Sequence, residues 1–195
     1  MNTSAYRLAI FASGNGTNAE EIIKYFQHHP AIKVTALLSN NPEAYALVRA
    51  ANHNVTTFIF NRKQFRETDE VLKWLKEHAI THVVLAGFLW LIPENIIRAF
   101  PGKIINIHPA LLPKFGGKGM YGMKVHEAVK QAGETETGIT IHKVNEHYDK
   151  GEILFKGICP VSPSDSPEDI ANKVHKLEYY WYPQVIEDWI LNSSS

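Results

Sequence analysis

The chain has 195 residues, 45% of them hydrophobic, with 20 basic (Lys+Arg) and 20 acidic (Asp+Glu) side chains. That length supports one sizeable core or two closely packed halves, and the balanced charge argues against a nucleic-acid partner. No apolar run approaches the roughly 20 residues needed to cross a bilayer, and Met1-Asn2-Thr3-Ser4 is no signal peptide, so a cytoplasmic protein with no membrane partner is expected.

Strands and helices alternate along the chain. Leu8–Ala12 reads as a short apolar strand entering a Gly-rich turn, and a helix follows from about Asn18 to His28. Thr17-x-x-Glu20 or Asn18-x-x-Glu21 offers that helix a capping box. Val34–Leu38, Thr56–Phe60 and His82–Ala86 are further strands, separated by helical stretches near 42–52 and 66–78. Near-continuous apolar strands between helices indicate a parallel sheet covered on both faces. From about residue 103 the rhythm changes: Ile104–Ile107 is a strand, Val125–Gln131 a helix, and Thr137–Val144 and Ile153–Val161 are strands close in sequence. Glu146 to Glu152 is too short for a helical crossover, so these last two strands should pair antiparallel. Cys159, on the second of them, is the single cysteine and reads as inert core packing. Ser166-Pro167 starts a final helix with a serine N-cap and proline at its first position. Ile170, Val174, Leu177 and Trp181 carry its buried stripe, Pro183 should kink it, and Ser193–Ser195 should fray. The fold class is therefore α/β: a Rossmann-like, mostly parallel sheet with helices on both faces and an antiparallel C-terminal portion. One domain over 1–195 is expected, with a phosphate-binding half over 1–100 and a catalytic half over 101–195.

Chemistry concentrates in Asn106-Ile107-His108-Pro109, which continues through Leu111-Leu112-Pro113. Two residues apart on an extended segment, Asn106 and His108 project from one face. A hydrogen-bond-donating amide and a titratable imidazole together suit an oxyanion and its proton traffic. The prolines that follow cannot continue a sheet ladder, which puts the pair at a strand's C-terminal end. Ser13-Gly14-Asn15-Gly16-Thr17-Asn18 joins the first strand to the first helix. Glycines allow close backbone approach, and free N–H groups at a helix start favour an anion, typically phosphate. With Ala19 the segment also fits G-x-G-x-x-A, but the second strand ends Leu37-Leu38-Ser39-Asn40 without the acidic residue that would hold a dinucleotide ribose. A single phosphate is the better reading. Asp149 follows in the turn between the two late strands; if that turn folds over the Ile104–Ile107 strand, its carboxylate reaches His108 and raises the histidine's pKa.

Ten histidines show no metal-ligand spacing, so no metal is expected, though His142 alternates onto a strand beside the proposed centre and can support it. His28-His29 closes a helix, where histidine is favourable. Tyr179-Tyr180-Trp181-Tyr182 reads as core or interface, and Arg62, Lys63, Arg66, Lys73 and Lys76 as solvated charge.

These motifs resemble the glycinamide ribonucleotide formyltransferases, 10-formyltetrahydrofolate-dependent enzymes of purine biosynthesis also called phosphoribosylglycinamide formyltransferases. The resemblance spans nearly the whole chain. It is carried by Ser13–Asn18, Val84-Leu85-Ala86-Gly87-Phe88, Asn106–Pro113, Gly138-Ile-Thr-Ile-His142, Asp149-x-Gly151 and Glu178-x-x-x-Tyr182-Pro183. Asn-x-His-Pro with the later aspartate is shared across formyl-folate transferases and hydrolases; the Ser13–Asn18 turn points to the ribonucleotide enzyme. The resemblance implies the formyltransferase fold and small-molecule substrates, with 10-formyltetrahydrofolate as co-substrate, in a monomer or homodimer. Asn106, His108 and Asp149 would be catalytic. Gly14, Asn15, Gly16 and Thr17 would hold the ribonucleotide phosphate, and Glu178 its ribose or amide. Folate would lie against Leu89, Trp90, Leu91 and Ile92, against Asn106, and along Asn145, Glu146, His147, Tyr148 and Asp149, with Arg66 near its tail.

Two features depart from the family pattern. Trp90 stands where bacterial relatives often carry arginine, and Lys114–Gly122 contains four glycines, which suggests a mobile lid. The alternative within the superfamily is a 10-formyltetrahydrofolate hydrolase or a transferase acting on another amine. Those relatives generally carry extra domains for which this chain has no room. A non-enzymatic nucleotide-binding module would not need Asn106, His108 and Asp149 together.

Overall fold

The computed structural model describes residues 5–147 and 149–192, so Tyr148 and the expected frayed end at Ser193–Ser195 lie outside the described residues. Seven strands form one sheet: β1 (Tyr6–Phe11), β2 (Ile32–Ser39), β3 (Thr56–Ile59), β4 (His82–Leu85), β5 (Ile104–His108), β6 (Glu136–Lys143) and β7 (Ile153–Pro160). They lie in the order β3-β2-β1-β4-β5-β6-β7. β3 through β5 are parallel, whereas β6 runs antiparallel to β5 and β7 antiparallel to β6. The reversal thus begins one strand earlier than the short β6–β7 turn alone indicates.

Side-chain alternation explains how the sheet separates two cores. Leu8, Ile10 and Ala12 face one cluster, which holds Ile22, Ile23 and Phe26 of α1 (Thr17–Phe26), Ala46 and Ala50 of α2 (Tyr45–Asn52), Val129 of α6 (Met123–Gln131) and much of α7 (Pro167–Asn192). Ala9 and Phe11 face the other, made with Phe65 of α3 (Arg62–Arg66), Val71, Leu72 and Leu75 of α4 (Glu70–Glu77) and Ile96 of α5 (Glu94–Ala99). All four residues of β4 are buried, as expected of a central strand covered twice.

Several local expectations are corrected. α1 has no capping box: its N-cap is Gly16, in left-handed backbone (φ 76°), with no side-chain cap. The side chains that would have formed the box are used elsewhere, Asn18 on Glu178 (2.9 Å) and Glu20 on Arg49 and His53. α1 also ends at Phe26, because the His29 ring turns back to accept the N–H groups of Ala31 and Ile32 (3.1 and 2.9 Å). The helix expected near 66–78 is α4, which begins only at Glu70; the short α3 precedes it, and Thr68 separates the two, its Oγ1 donating to the Gln64 carbonyl (3.0 Å) and accepting the Glu70 N–H (3.3 Å). The capping box appears instead at α3, between Asn61 and Gln64. α5, after Pro93, is too short for its apolar period to stand out in the sequence. α7 continues through Pro183, and its buried stripe runs Ile170, Val174, Glu178, Tyr182, Ile186 and Ile190. Trp181 lies half-buried beside it, 4.8 Å from the Phe155 ring. Cys159 is partly buried against the first core, and burial pushes its thiol up from the ordinary value.

Candidate active site

A cleft of about 810 Å³ opens at the C-terminal ends of β1, β4 and β5. Strand order reverses between β1 and β4, and the crevice at such a switch point is where open α/β sheets place their ligands. A smaller hollow of about 340 Å³ lies behind the Leu111–Phe115 turn and is lined by none of Asn106, His108, Asp149, Glu178 or the Gly14–Thr17 turn.

Gly14, Asn15, Gly16 and Thr17 form one wall of the cleft. The turn is fixed from outside: Arg49 donates through Nε to the Asn15 carbonyl (2.9 Å) and through Nη2 to Asn15 Oδ1 (3.0 Å) while also pairing with Glu20. Ser13 Oγ donates to Asn40 Oδ1 (2.6 Å) and accepts the Leu89 N–H (3.1 Å), tying this turn to the segment after β4. Asn40, where a dinucleotide site would need an acid, is thus a structural partner of the loop. Gly16 is required twice over: its φ is positive, and a Cβ there would stand 2.5 Å from the Ala46 backbone. Gly16→Ala is expected to destabilise the fold by about 1–3 kcal/mol and displace the turn, read as a lower urea midpoint. An unchanged midpoint would show that α2 yields freely.

β5 ends with Asn106 and His108, and antiparallel pairing sets His142 of β6 opposite Asn106 and Thr140 opposite His108. The register therefore places four functional side chains on one face. Thr140 Oγ1 donates to the Ala110 carbonyl (2.7 Å) and accepts the Leu112 N–H (3.0 Å), which anchors the turn after His108. Asp149, in left-handed backbone (φ 53°), reaches both histidines: Oδ2 lies 3.6 Å from His108 Nδ1 and Oδ1 lies 3.4 Å from His142 Nε2. Oδ2 also accepts the Gly117 N–H at 2.9 Å. Asn106 Nδ2 sits 3.3 Å from His142 Nε2, and His142 Nδ1 lies 2.9 Å from the Lys143 carbonyl. Since that carbonyl only accepts, Nδ1 carries a proton.

The His108 ring is oriented differently from the sequence-based expectation. Its Nε2 lies 2.7 Å from the Phe115 carbonyl, so Nε2 is protonated and this bond, not Asp149, fixes the ring. At 3.6 Å the Asp149 contact is too long for a direct hydrogen bond, and Nδ1 is the uncommitted nitrogen. The expected upward pKa is also corrected. Burial pulls His108 below its ordinary value; Asp149 and the Phe115 carbonyl oppose that pull, and His142 adds to it. For Asp149, burial pushes the carboxyl up, but His142, His108 and the Gly117 N–H outweigh it and leave the group below the ordinary range.

Glu178 of α7 lines the same cleft and is 6% exposed. Burial raises its pKa from 4.5 to about 7, against the hydrogen bond from Asn18. The native state then holds this proton up to about pH 7, whereas the unfolded chain releases it near 4.5, so stability declines as pH rises through that window. Glu178→Gln removes the penalty. Relative to wild type, the variant should gain roughly 3 kcal/mol between pH 4 and pH 8, measured by urea unfolding. A pH-independent difference would contradict the shift.

Of the residues expected around folate, Leu89, Asn106 and Asp149 line the cleft. Trp90 packs among Phe60, Phe65 and Phe88, and Ile92 is buried in the second core. Arg66 Nη2 donates to the Leu91 carbonyl (3.2 Å), and Asn145 Oδ1 accepts the His147 N–H (2.9 Å) in a turn exposed at Glu146. Sequence reasoning missed His126, His175 and Tyr179, which also line the cleft. Helical spacing could have found two of them, because 175, 178, 179 and 182 share one face of α7. Reading Tyr179–Tyr182 as a core segment hid that signal.

Residues 6–186 match the formyl transferase family. The chloroplastic phosphoribosylglycinamide formyltransferase of Vigna unguiculata is 40% identical over 192 residues, covering 93% of this chain and 60% of its own length. The Arabidopsis thaliana relative of the same name is 38% identical over 92% of this chain, and the chain spans 64% of it. The phosphoribosylglycinamide formyltransferase of Bacillus subtilis is 36% identical with 93% of each chain covered. Among solved structures, the enzyme of that name from Bacillus halodurans matches with a TM-score of 0.85 at 33% identity, covering 97% of both chains. In sequence, in strand order and over nearly its whole length, the chain belongs to the formyl transferase family.

Proposed function

We propose that the protein transfers the formyl group of 10-formyltetrahydrofolate to the amine of glycinamide ribonucleotide, a step of purine biosynthesis. The observation that carries this reading is the meeting of Asn106, His108 and Asp149 in a cleft whose wall is the Gly14–Thr17 turn, with His142 backing Asp149. A cleft of about 810 Å³ falls within the range of small-molecule sites. Among the described residues, no helix is long and apolar enough to cross a membrane.

The amine nitrogen attacks the formyl carbon, forming a C–N bond and a tetrahedral oxyanion. Asn106 Nδ2–H donates to that oxygen, turning from His142, and His108 Nδ1–H, once protonated, is the second donor. His108 keeps its Nε2–H on the Phe115 carbonyl throughout, so proton exchange runs through Nδ1 alone. Asp149 supplies the anion that steadies the imidazolium. The 3.6 Å separation leaves room for Nδ1 to turn to substrate or to a relaying water, which carries the proton released by the amine. The intermediate collapses by breaking the bond to N10 of the folate, N10 takes a proton, and tetrahydrofolate leaves. The ribonucleotide phosphate lies at Gly14–Thr17, where the peptide N–H groups and the start of α1 face it, and its ribose or amide lies at Glu178.

Mixing purified protein with 10-formyltetrahydrofolate, with and without glycinamide ribonucleotide, tests the reading. Folate deformylation should depend on the ribonucleotide. Equal deformylation without it would favour the hydrolase, and dependence on a different amine would reassign the acceptor.

A further inference from the structure

The loop Lys114–Gly122 forms another wall of the cleft from Gly117 onward. Gly117 and Gly119 hold left-handed backbone (φ +95° and +89°), yet a Cβ on either would meet nothing within 4 Å. They are required by the path of the chain rather than by crowding. That path carries Lys118 between them to the cleft, and Gly117 is held there by its bond to Asp149. The neighbouring cations are engaged: Lys114 Nζ pairs with Glu134 at 2.8 Å, and Lys124 Nζ stands 4.8 Å from the Tyr121 ring centroid. Lys118 makes no hydrogen bond, ion pair or ring contact among the described residues. Among the described residues it is also the only lysine or arginine lining the cleft.

The rest of the cleft makes that charge conspicuous. Asp149 is an anion, and burial holds the ring pKa values of His108, His126 and His175 below the ordinary value. His126, 2% exposed, also lines the cleft with its Nδ1 unpartnered among the described residues, a second polar atom left for a ligand. A phosphate at the Gly14–Thr17 turn would meet peptide N–H groups and a helix dipole, whereas Arg49, which grips that wall from outside, does not line the cleft and is already paired with Glu20. We propose that Lys118 is the counter-charge for the substrate phosphate, brought across the cleft by the glycine loop to close over the Gly14–Thr17 turn. The proposal rests on the ribonucleotide reading given above. A lysine suits the task, since an ammonium on a flexible stem holds phosphate as a point charge without demanding one approach direction.

Calorimetric titration with ribose 5-phosphate, beside steady-state kinetics, tests it on wild type, Lys118→Gln and Lys118→Arg. Lys118→Gln should bind ribose 5-phosphate about tenfold more weakly, the effect of one charge-assisted contact. Lys118→Arg should restore binding, and added salt should weaken the wild type more than Lys118→Gln. In kinetics the loss should fall on KM for the ribonucleotide, with KM for the folate near its wild-type value. Undiminished ribose 5-phosphate binding by Lys118→Gln would overturn the proposal, as would a loss that falls on the folate. If the wild type formylates no ribonucleotide but lysine-dependent ribose 5-phosphate binding persists, the acceptor assignment fails and the phosphate role of Lys118 stands.

Discussion

Replacing His108 with alanine is expected to lower turnover by roughly 10²-fold or more while the protein remains folded. The substitution removes the ring that is anchored through Nε2 on the Phe115 carbonyl and keeps Nδ1 uncommitted, so no other side chain inherits its position. His142 cannot substitute, because its Nδ1 is committed to the Lys143 carbonyl and its Nε2 lies against Asn106. The Phe115 carbonyl loses its 2.7 Å donor but can be solvated from the cleft, which limits the structural cost. Steady-state rates beside a urea midpoint separate the two effects. Near-normal kcat with an intact fold would end the mechanism drawn above.

Asp149→Asn should also cost roughly 10²-fold in rate, by a different route. The shape is kept, but the anion facing both His108 and His142 is lost. Burial already holds the His108 pKa down and Asp149 opposes it, so removing the carboxylate moves the titration further down. The imidazolium then becomes scarcer at neutral pH. Two-dimensional NMR of the ring should record a lower pKa in the variant; a shift upward, or none, would show that Asp149 acts elsewhere. The Gly117 N–H also loses a charged acceptor, so the glycine loop should exchange its amides faster in this variant.

Much of this was legible in the sequence because the strong signals are local. Leu8–Ala12, Val34–Leu38 and His82–Ala86 are short apolar runs between turn residues, and each lies within or beside an observed strand. Asn106 and His108 announced their shared face through period two alone. What stayed hidden depends on tertiary partners. The start of α1 is set by Gly16 and Ala46, not by Thr17 or Asn18, because Asn18 is claimed by a glutamate 160 positions away. The downward pKa of His108 comes from burial, which no spacing reveals, and the role of the Phe115 carbonyl depends on a loop path set by glycines. The resemblance sets Trp90 against folate, and the packing of its ring among Phe60, Phe65 and Phe88 is a tertiary arrangement that no local pattern displays.

Helix α7 closes the core that β1 begins: Leu8 and Ile10 share a cluster with Ile186, Trp189 and Ile190, and Tyr182 Oη donates to the Leu85 carbonyl at 2.8 Å. Tyr25 of α1 and His29 just after it are likewise held by Glu187. On a ribosome this order matters. The first strand emerges with one apolar face whose cover α1 and α2 begin but only α7 completes, and elongation at about 5–20 residues per second leaves it incomplete for on the order of 10–40 s. The second core asks for much less, since Phe65, Leu75, Ile96 and Ile104 follow early. Synthesis therefore yields a sheet finished on one side and, on the other, covered only by α1, α2 and α6 until α7 arrives. For that interval the nascent chain is a natural client for chaperones that shield apolar surface.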